Sequence, residues 1–148
     1  MGVGYEFECP KCGNEETIDF EVGMLYPHLL NEFKKKALSG EFGKEWKELA
    51  SKNSDSRVDA EMFLYRCPEC KSWKNEPSYD VYYPKDGVDV SKKFCWSSEG
   101  YELVKEYPHM CKCCNKPMKK YKSIGRLKLK CPKCGQLMNR TESICLWD

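Results

Sequence analysis

The chain has 148 residues, of which 41% are hydrophobic and 32% charged, with a formal net charge of +2 and a mean hydropathy of -0.73. This allows one ordinary domain or two small ones with little apolar core to spare. No stretch approaches the length of a transmembrane helix and "MGVGYEFECP" has neither the basic nor the apolar region of a signal peptide, so a cytoplasmic protein without a membrane anchor is expected.

Eleven cysteines are far above ordinary usage. Reducing conditions in the cytoplasm disfavour structural disulfides, so paired cysteines there point to metal held by thiolates. The first pair is Cys9-Pro-Lys-Cys12, followed by Gly13.

Next comes a helical insertion over about residues 26–53. Tyr26, Leu29, Leu30, Phe33 and Ala37 recur at helical spacing, with Pro27 suited to a first turn and Gly40 to the stop. Phe42, Trp46, Leu49 and Ala50 predict a second helix ending near Lys52-Asn53. A strand is expected from Met62 into Cys67, where the second pair, Cys67-Pro-Glu-Cys70-Lys71, begins.

The following segment is β-rich. "SYDVYYP" reads as a strand, "PKDGVDV" as a turn, and "GYELVKEYPHMC" leads into the third pair. That pair offers three cysteines, and Cys111 with Cys114 keeps the two-residue spacing. It also places Asn115 where Gly13 and Gly135 stand after the other pairs, and Asn is the non-glycine residue most at ease at positive φ. Cys113 then falls at an outward position of the turn, where a tolerated surface thiol is expected; the flanking Lys112 and Lys116 and the nearby metal give the alternative of a lowered pKa and sensitivity to oxidation. "GRLKLKC" alternates Leu127 and Leu129 with charged residues and predicts a half-buried strand into Cys131-Pro-Lys-Cys134. Ile144 and Leu146 alternate in a short final strand. Cys95 and Cys145, beside aromatic and aliphatic residues, read as packing cysteines, and His28 and His109 as surface or capping residues.

Four C-x-x-C turns imply two metals, since two turns complete a tetrahedral four-sulfur site. Joining sequence-adjacent turns closes loops of 54 and 16 residues; joining 67/70 to 111/114 instead leaves loops of 40 and 118. Treated as independent, the second scheme costs roughly 1.5 kcal/mol more in closure entropy, so the adjacent pairing is expected. The spacing C-x2-C-x16-C-x2-C within 111–134 fits a four-cysteine zinc site.

Charge is divided along the chain. Residues 1–104 carry 14 basic and 20 acidic side chains, whereas residues 105–148 carry 11 and 3. Lys116, Lys119, Lys120, Lys122, Arg126, Lys128 and Lys130 crowd the second part, where they can balance metal thiolates, form a solvated face, or bind phosphates with Tyr121 and Tyr107 available for stacking. Docking on the acidic half or on another copy is a further reading of the same charge.

The turns at 9–13, 67–71, 111–115 and 131–135 resemble those of zinc ribbons, small β-modules of transcription factors, polymerase subunits and ribosomal proteins. The whole chain looks like the small bacterial tandem zinc-ribbon proteins of unassigned role. The resemblance implies a small α+β, metal-stabilised fold with two zinc-ribbon modules. One spans 1–104 with its helical insertion and β-rich extension, and a basic one spans 105–148. It further implies two structural zinc ions held by Cys9, Cys12, Cys67, Cys70, Cys111, Cys114, Cys131 and Cys134. The expected function is a non-catalytic one, with the metals organising a surface for a protein or nucleic-acid partner. "CPKCG" is also similar to rubredoxin, where four such thiolates hold one iron and carry electrons, and this gives the alternative of an iron electron-transfer protein.

Overall fold

The computed structural model describes residues 2–92 and 98–147, the side chains of 92 and 142–147 excepted. In chain order the elements are β1 (Gly2–Glu8), β2 (Glu15–Phe20), α1 (Tyr26–Ser39), α2 (Lys44–Lys52), β3 (Arg57–Val58) and β4 (Met62–Arg66). They continue with β5 (Trp73–Pro77), β6 (Val81–Pro84), β7 (Tyr101–Lys105), β8 (Lys119–Tyr121) and β9 (Asn139–Trp147). The strands form small antiparallel sheets in the orders β2-β1-β9, β5-β4-β8 and β3-β6-β7.

The chain divides into two compact units, and neither is continuous in sequence. The first comprises Met1–Gly23, Met62–Glu76 and Pro108–Asp148; the second comprises Met24–Glu61 and Pro77–Tyr107. A division into 1–104 and 105–148 is therefore not the one the chain makes. Both ends and a middle segment build the first unit, because β9 pairs along β1 from Gly2↔Trp147 to Glu8↔Asn139.

The core of the first unit joins Phe7, Ile18, Phe20, Leu64, Ile124, Leu129 and Met138 with Cys9 and Cys131. Its two sheets meet where Met62 N–H donates to the Glu21 carbonyl at 2.9 Å. Trp73 packs against this core and anchors its indole by donating to the Lys130 carbonyl at 2.7 Å.

The second unit holds the two expected helices. The α1 helix ends in a left-handed Gly40, whose N–H and that of Glu41 return to the Ala37 and Lys36 carbonyls. Its apolar stripe buries Tyr26, Phe33 and Ala37, and α2 buries Trp46 and Ala50. Phe33, Phe42, Trp46, Tyr79 and Tyr107 form one aromatic cluster with centroid separations of 4.9–6.3 Å. Phe42 lies in the turn before α2, and Tyr107 is a packing residue.

Buried charge in the second unit is compensated. The Arg57 guanidinium lies 4.9 Å from the Tyr26 ring centroid and 5.5 Å from that of Tyr101, and 3.6 Å from Asp59. Asp59 in turn accepts from the Tyr26 and Ser78 hydroxyls at 2.5 and 2.7 Å. Asp59 is thereby both paired and hydrogen-bonded, as an ion in the interior must be.

Three expectations change. "GRLKLKC" keeps its alternation, with Leu129 buried and Arg126, Lys128 and Lys130 exposed, yet it forms only an isolated bridge, Lys130↔Leu137, instead of a strand. The final strand begins at Asn139, earlier than the sequence suggests. His109 is buried, stacked on Tyr65 with centroids 3.6 Å apart. Cys95 lies outside the described residues, and Cys145 is described in its backbone alone.

Candidate metal centres

Each C-x-x-C segment folds into the same knuckle. The N–H of the residue after the second cysteine returns to the first cysteine's carbonyl: Gly13 to Cys9 at 2.9 Å, Lys71 to Cys67 at 3.2 Å, Asn115 to Cys111 at 2.9 Å and Gly135 to Cys131 at 2.9 Å. The first cysteine's own N–H donates to the carbonyl five residues on, to Asn14, Ser72, Lys116 and Gln136 at 2.7–2.9 Å. Closing so tight a turn requires positive φ, found at 70° for Gly13, 63° for Lys71, 52° for Asn115 and 76° for Gly135. Asn115 thus behaves as expected, and Cys113 projects as an exposed thiol.

The knuckles meet in nested pairs. Cys9, Cys12, Cys131 and Cys134 form one group and Cys67, Cys70, Cys111 and Cys114 the other, with all sulfurs of a group within 4.8 Å of one another. The expected sequence-adjacent pairing is therefore wrong. Its entropy argument treated the two loops as independent, but closing the inner pair shortens the effective outer loop. The β1–β9 and β4–β8 ladders then add pairing that loop lengths do not count.

Within each group the contacts run crosswise. Cys9 to Cys134 and Cys12 to Cys131 are 3.4 and 3.6 Å apart; Cys67 to Cys114 and Cys70 to Cys111 are 3.3 and 3.5 Å. Tetrahedral zinc with bonds of about 2.3 Å separates its sulfurs by about 3.8 Å, so a small inward or outward adjustment fits the ion. The first cysteine of every knuckle is buried, while Cys12 and Cys70 are exposed and Cys114 and Cys134 half-buried. Two four-cysteine groups can thus hold metal ions.

The electrostatics of the thiols point the same way. The Ser72 hydroxyl, 3.1 Å from Cys111 Sγ, together with the Cys114 and Cys113 N–H groups, outweighs burial and lowers the Cys111 thiol to about 5. The adjacent Cys67 sulfur, with burial, raises Cys114 to about 12. In the other group burial raises Cys9, but the Cys12 and Lys11 N–H groups and neighbouring thiols bring it down to about 6. The Asn14 N–H lowers Cys12, yet burial and the surrounding sulfurs carry it up to about 12. Four sulfurs this close resist joint ionisation until a cation supplies the opposing charge.

The surroundings of the two groups differ. Ser72 Oγ lies 3.0 Å from Cys70 Sγ as well as against Cys111, giving the inner group a hydroxyl neighbour. Nearby, His109 Nδ1 is 3.3 Å from Glu76, whose carboxyl is held down to about 2 chiefly by that histidine and by Lys74. His109 is not among the grouped ligands. Spacing in the sequence signals neither Ser72 nor the His109–Glu76 pair: Ser72 is brought in by the turn between β4 and β5, and Glu76 on β5 meets His109 from the segment before Cys111.

The basic residues differ in their surroundings. Lys116 lies 3.3 Å from Glu69, Lys119 covers Tyr121 at 5.4 Å and Lys120 covers Phe63 at 4.2 Å. Lys122, Arg126, Lys128 and Lys130 are exposed. No helix among the described residues is long and apolar enough to cross a membrane.

No protein-family model and no solved structure matches the chain. It is similar to an uncharacterised protein of Methanocaldococcus jannaschii, 28% identical over 100 residues that cover 56% of this chain and 92% of that protein.

Proposed function

We propose that the protein is non-catalytic and that two structural zinc ions, each closed off by four thiolates, organise a zinc-ribbon-like binding surface for nucleic acid. The carrying observation is the formation of two four-cysteine groups by four like knuckles. Four protein ligands leave zinc no position for water or substrate, which favours a structural over a hydrolytic role.

The choice of nucleic acid over protein rests on two supports. Residues 107–141 carry ten Lys and Arg and no Asp or Glu. The aromatics that would form a protein-docking face on the helical insertion are engaged elsewhere: Trp46 is buried and Phe42 packs on Phe33, Tyr79 and Tyr107.

Native mass spectrometry of anaerobically purified protein is the first test, with two zinc ions per chain expected. Iron would transfer support to electron transfer. Binding to DNA and RNA should then weaken steeply with salt, because each neutralised phosphate releases counterions. Charge reversal at Lys119, Lys122 and Lys128 should abolish it; binding that ignores both salt and these lysines would rule the basic face out.

A further inference from the structure

A cleft of about 420 Å³ opens in the first unit, and both metal groups contribute to its wall, Cys70 from the inner one and Cys131 from the outer. This volume is within the range of small-ligand sites, ~300–1,000 Å³. Trp73, Met118 and Pro132 supply apolar lining, and Lys112 and Lys130 supply exposed ammonium groups. Among the described residues Glu76 is the single acidic side chain on the wall, and it is already engaged by Lys74 at 2.7 Å and by His109.

Trp73 is the informative residue. It is only partly buried although it packs on the core, and its indole N–H is fixed to the Lys130 carbonyl. A ring pinned at its edge by a hydrogen bond keeps its orientation, and a flat ligand can stack on it without the entropy loss of freezing a mobile side chain. Cations beside such a ring complement a ligand that is planar and also anionic. Bases of a single strand with their phosphates have this combination; a duplex hides its base faces.

We propose that this cleft binds an unpaired nucleotide of single-stranded nucleic acid, its base against Trp73 and its flanking phosphates at Lys112 and Lys130. The proposal rests on the nucleic-acid reading above and narrows it to one strand and one site. A strand rather than a free nucleotide is favoured because two separate lysines on the wall can each meet a phosphate on either side of the stacked base, and Lys122, Arg126 and Lys128 are further exposed cations of the same unit.

The test uses the full zinc-loaded chain and fluorescence anisotropy with labelled oligothymidine, oligouridine and a duplex of matched length. The wild type should prefer the single strands. Trp73→Leu should weaken them about 10-fold or more, Trp73→Phe should retain most of the affinity, and neither should change duplex binding. Lys112→Glu provides an independent arm, since Lys112 lies at an exposed knuckle position. If this lysine served only to balance the thiolates, the variant would alter zinc retention and not strand affinity, so the comparison is made at full zinc occupancy. Should Trp73→Leu lose zinc, Lys112→Glu decides. Single-strand affinity unchanged by the variants, or no preference over duplex, overturns the cleft and leaves the basic-face reading standing. Absence of binding to every probe by the wild type overturns both, whereas binding of free thymidine monophosphate as tight as that of the strand overturns the choice of a strand.

Discussion

Asn75 and Asp19 exchange two hydrogen bonds: Asn75 Oδ1 accepts from the Asp19 N–H at 2.8 Å, and Asn75 Nδ2 donates to the Asp19 carbonyl at 2.8 Å. The same amide nitrogen reaches the Phe63 carbonyl at 3.0 Å. One side chain thereby acts as a strand neighbour to β2 while tied to β4, linking the sheets that lead into the first two knuckles. Asn75→Ala strips these backbone groups of their partner. With a cost of ~1–3 kcal/mol per buried group left unsatisfied, reduced by partial exposure, a loss of about 2 kcal/mol is expected. Denaturant unfolding of the zinc-loaded variant checks it; a loss below about 0.5 kcal/mol would show that water replaces the amide.

The nested pairing has a direct signature in metal counts. Replacing Cys9 and Cys134 together by serine removes ligands of one group and should cost one ion, as should Cys67 with Cys114. Replacing Cys9 with Cys67 damages both groups and should cost two. Cys113→Ser should keep both ions, since its sulfur belongs to neither group. Sequence-adjacent pairing makes the opposite assignment, with one ion lost from Cys9 plus Cys67, so native mass spectra of the double variants discriminate the two.

Much of this site is written into local sequence. The two-residue cysteine spacing and the glycines after Cys12 and Cys134 identify the knuckle, and they extend correctly to Asn115, whose φ is 52°. Helical periodicity from Tyr26 to Ala37 and the stop at Gly40 locate α1. Which knuckles meet is a different kind of question. It depends on β9 crossing to β1, a pairing between residues more than 130 positions apart whose side-chain pattern does not name its partner. The same limitation hides Trp73 and Ser72: each gains its role by touching a segment distant in sequence, Lys130 and Cys111 respectively. "GRLKLKC" errs the other way, since an alternating pattern records which side chains are buried but not whether a neighbouring strand exists.

Metal removal should act unequally on the two units. In the first, Cys9 and Cys131 are part of the hydrophobic core, so expelling the ions forces thiols apart within it, and metal-binding energy there is folding energy. The second unit has its own core of Phe33, Ala37, Trp46, Val58 and Val81 and holds none of the eight grouped cysteines. On adding a chelator under reducing conditions, hydrogen exchange should accelerate through β1, β4 and β9 while the amides of α1 and α2 stay protected. Equal loss of protection in both units would indicate one cooperative structure.

The second unit, which holds none of the eight grouped cysteines, also offers a pH test. Tyr82 on β6 has its phenol pushed up to about 12, first by burial and then by the carboxylates of Asp59, Asp80 and Glu61, against the partial relief of Arg57. An unfolded tyrosine loses its proton near pH 10, whereas the folded one holds it until about 12. Between these values the unfolded state binds fewer protons, so stability falls as pH rises; below pH 10 the contribution is fully present. Tyr82 is only half-buried, and solvent screening brings the expected loss to about 1 kcal/mol. Tyr82→Phe should flatten this decline in denaturant unfolding followed from pH 9 to 11.5. If the variant and the wild type fall in parallel, another group is responsible for the alkaline loss.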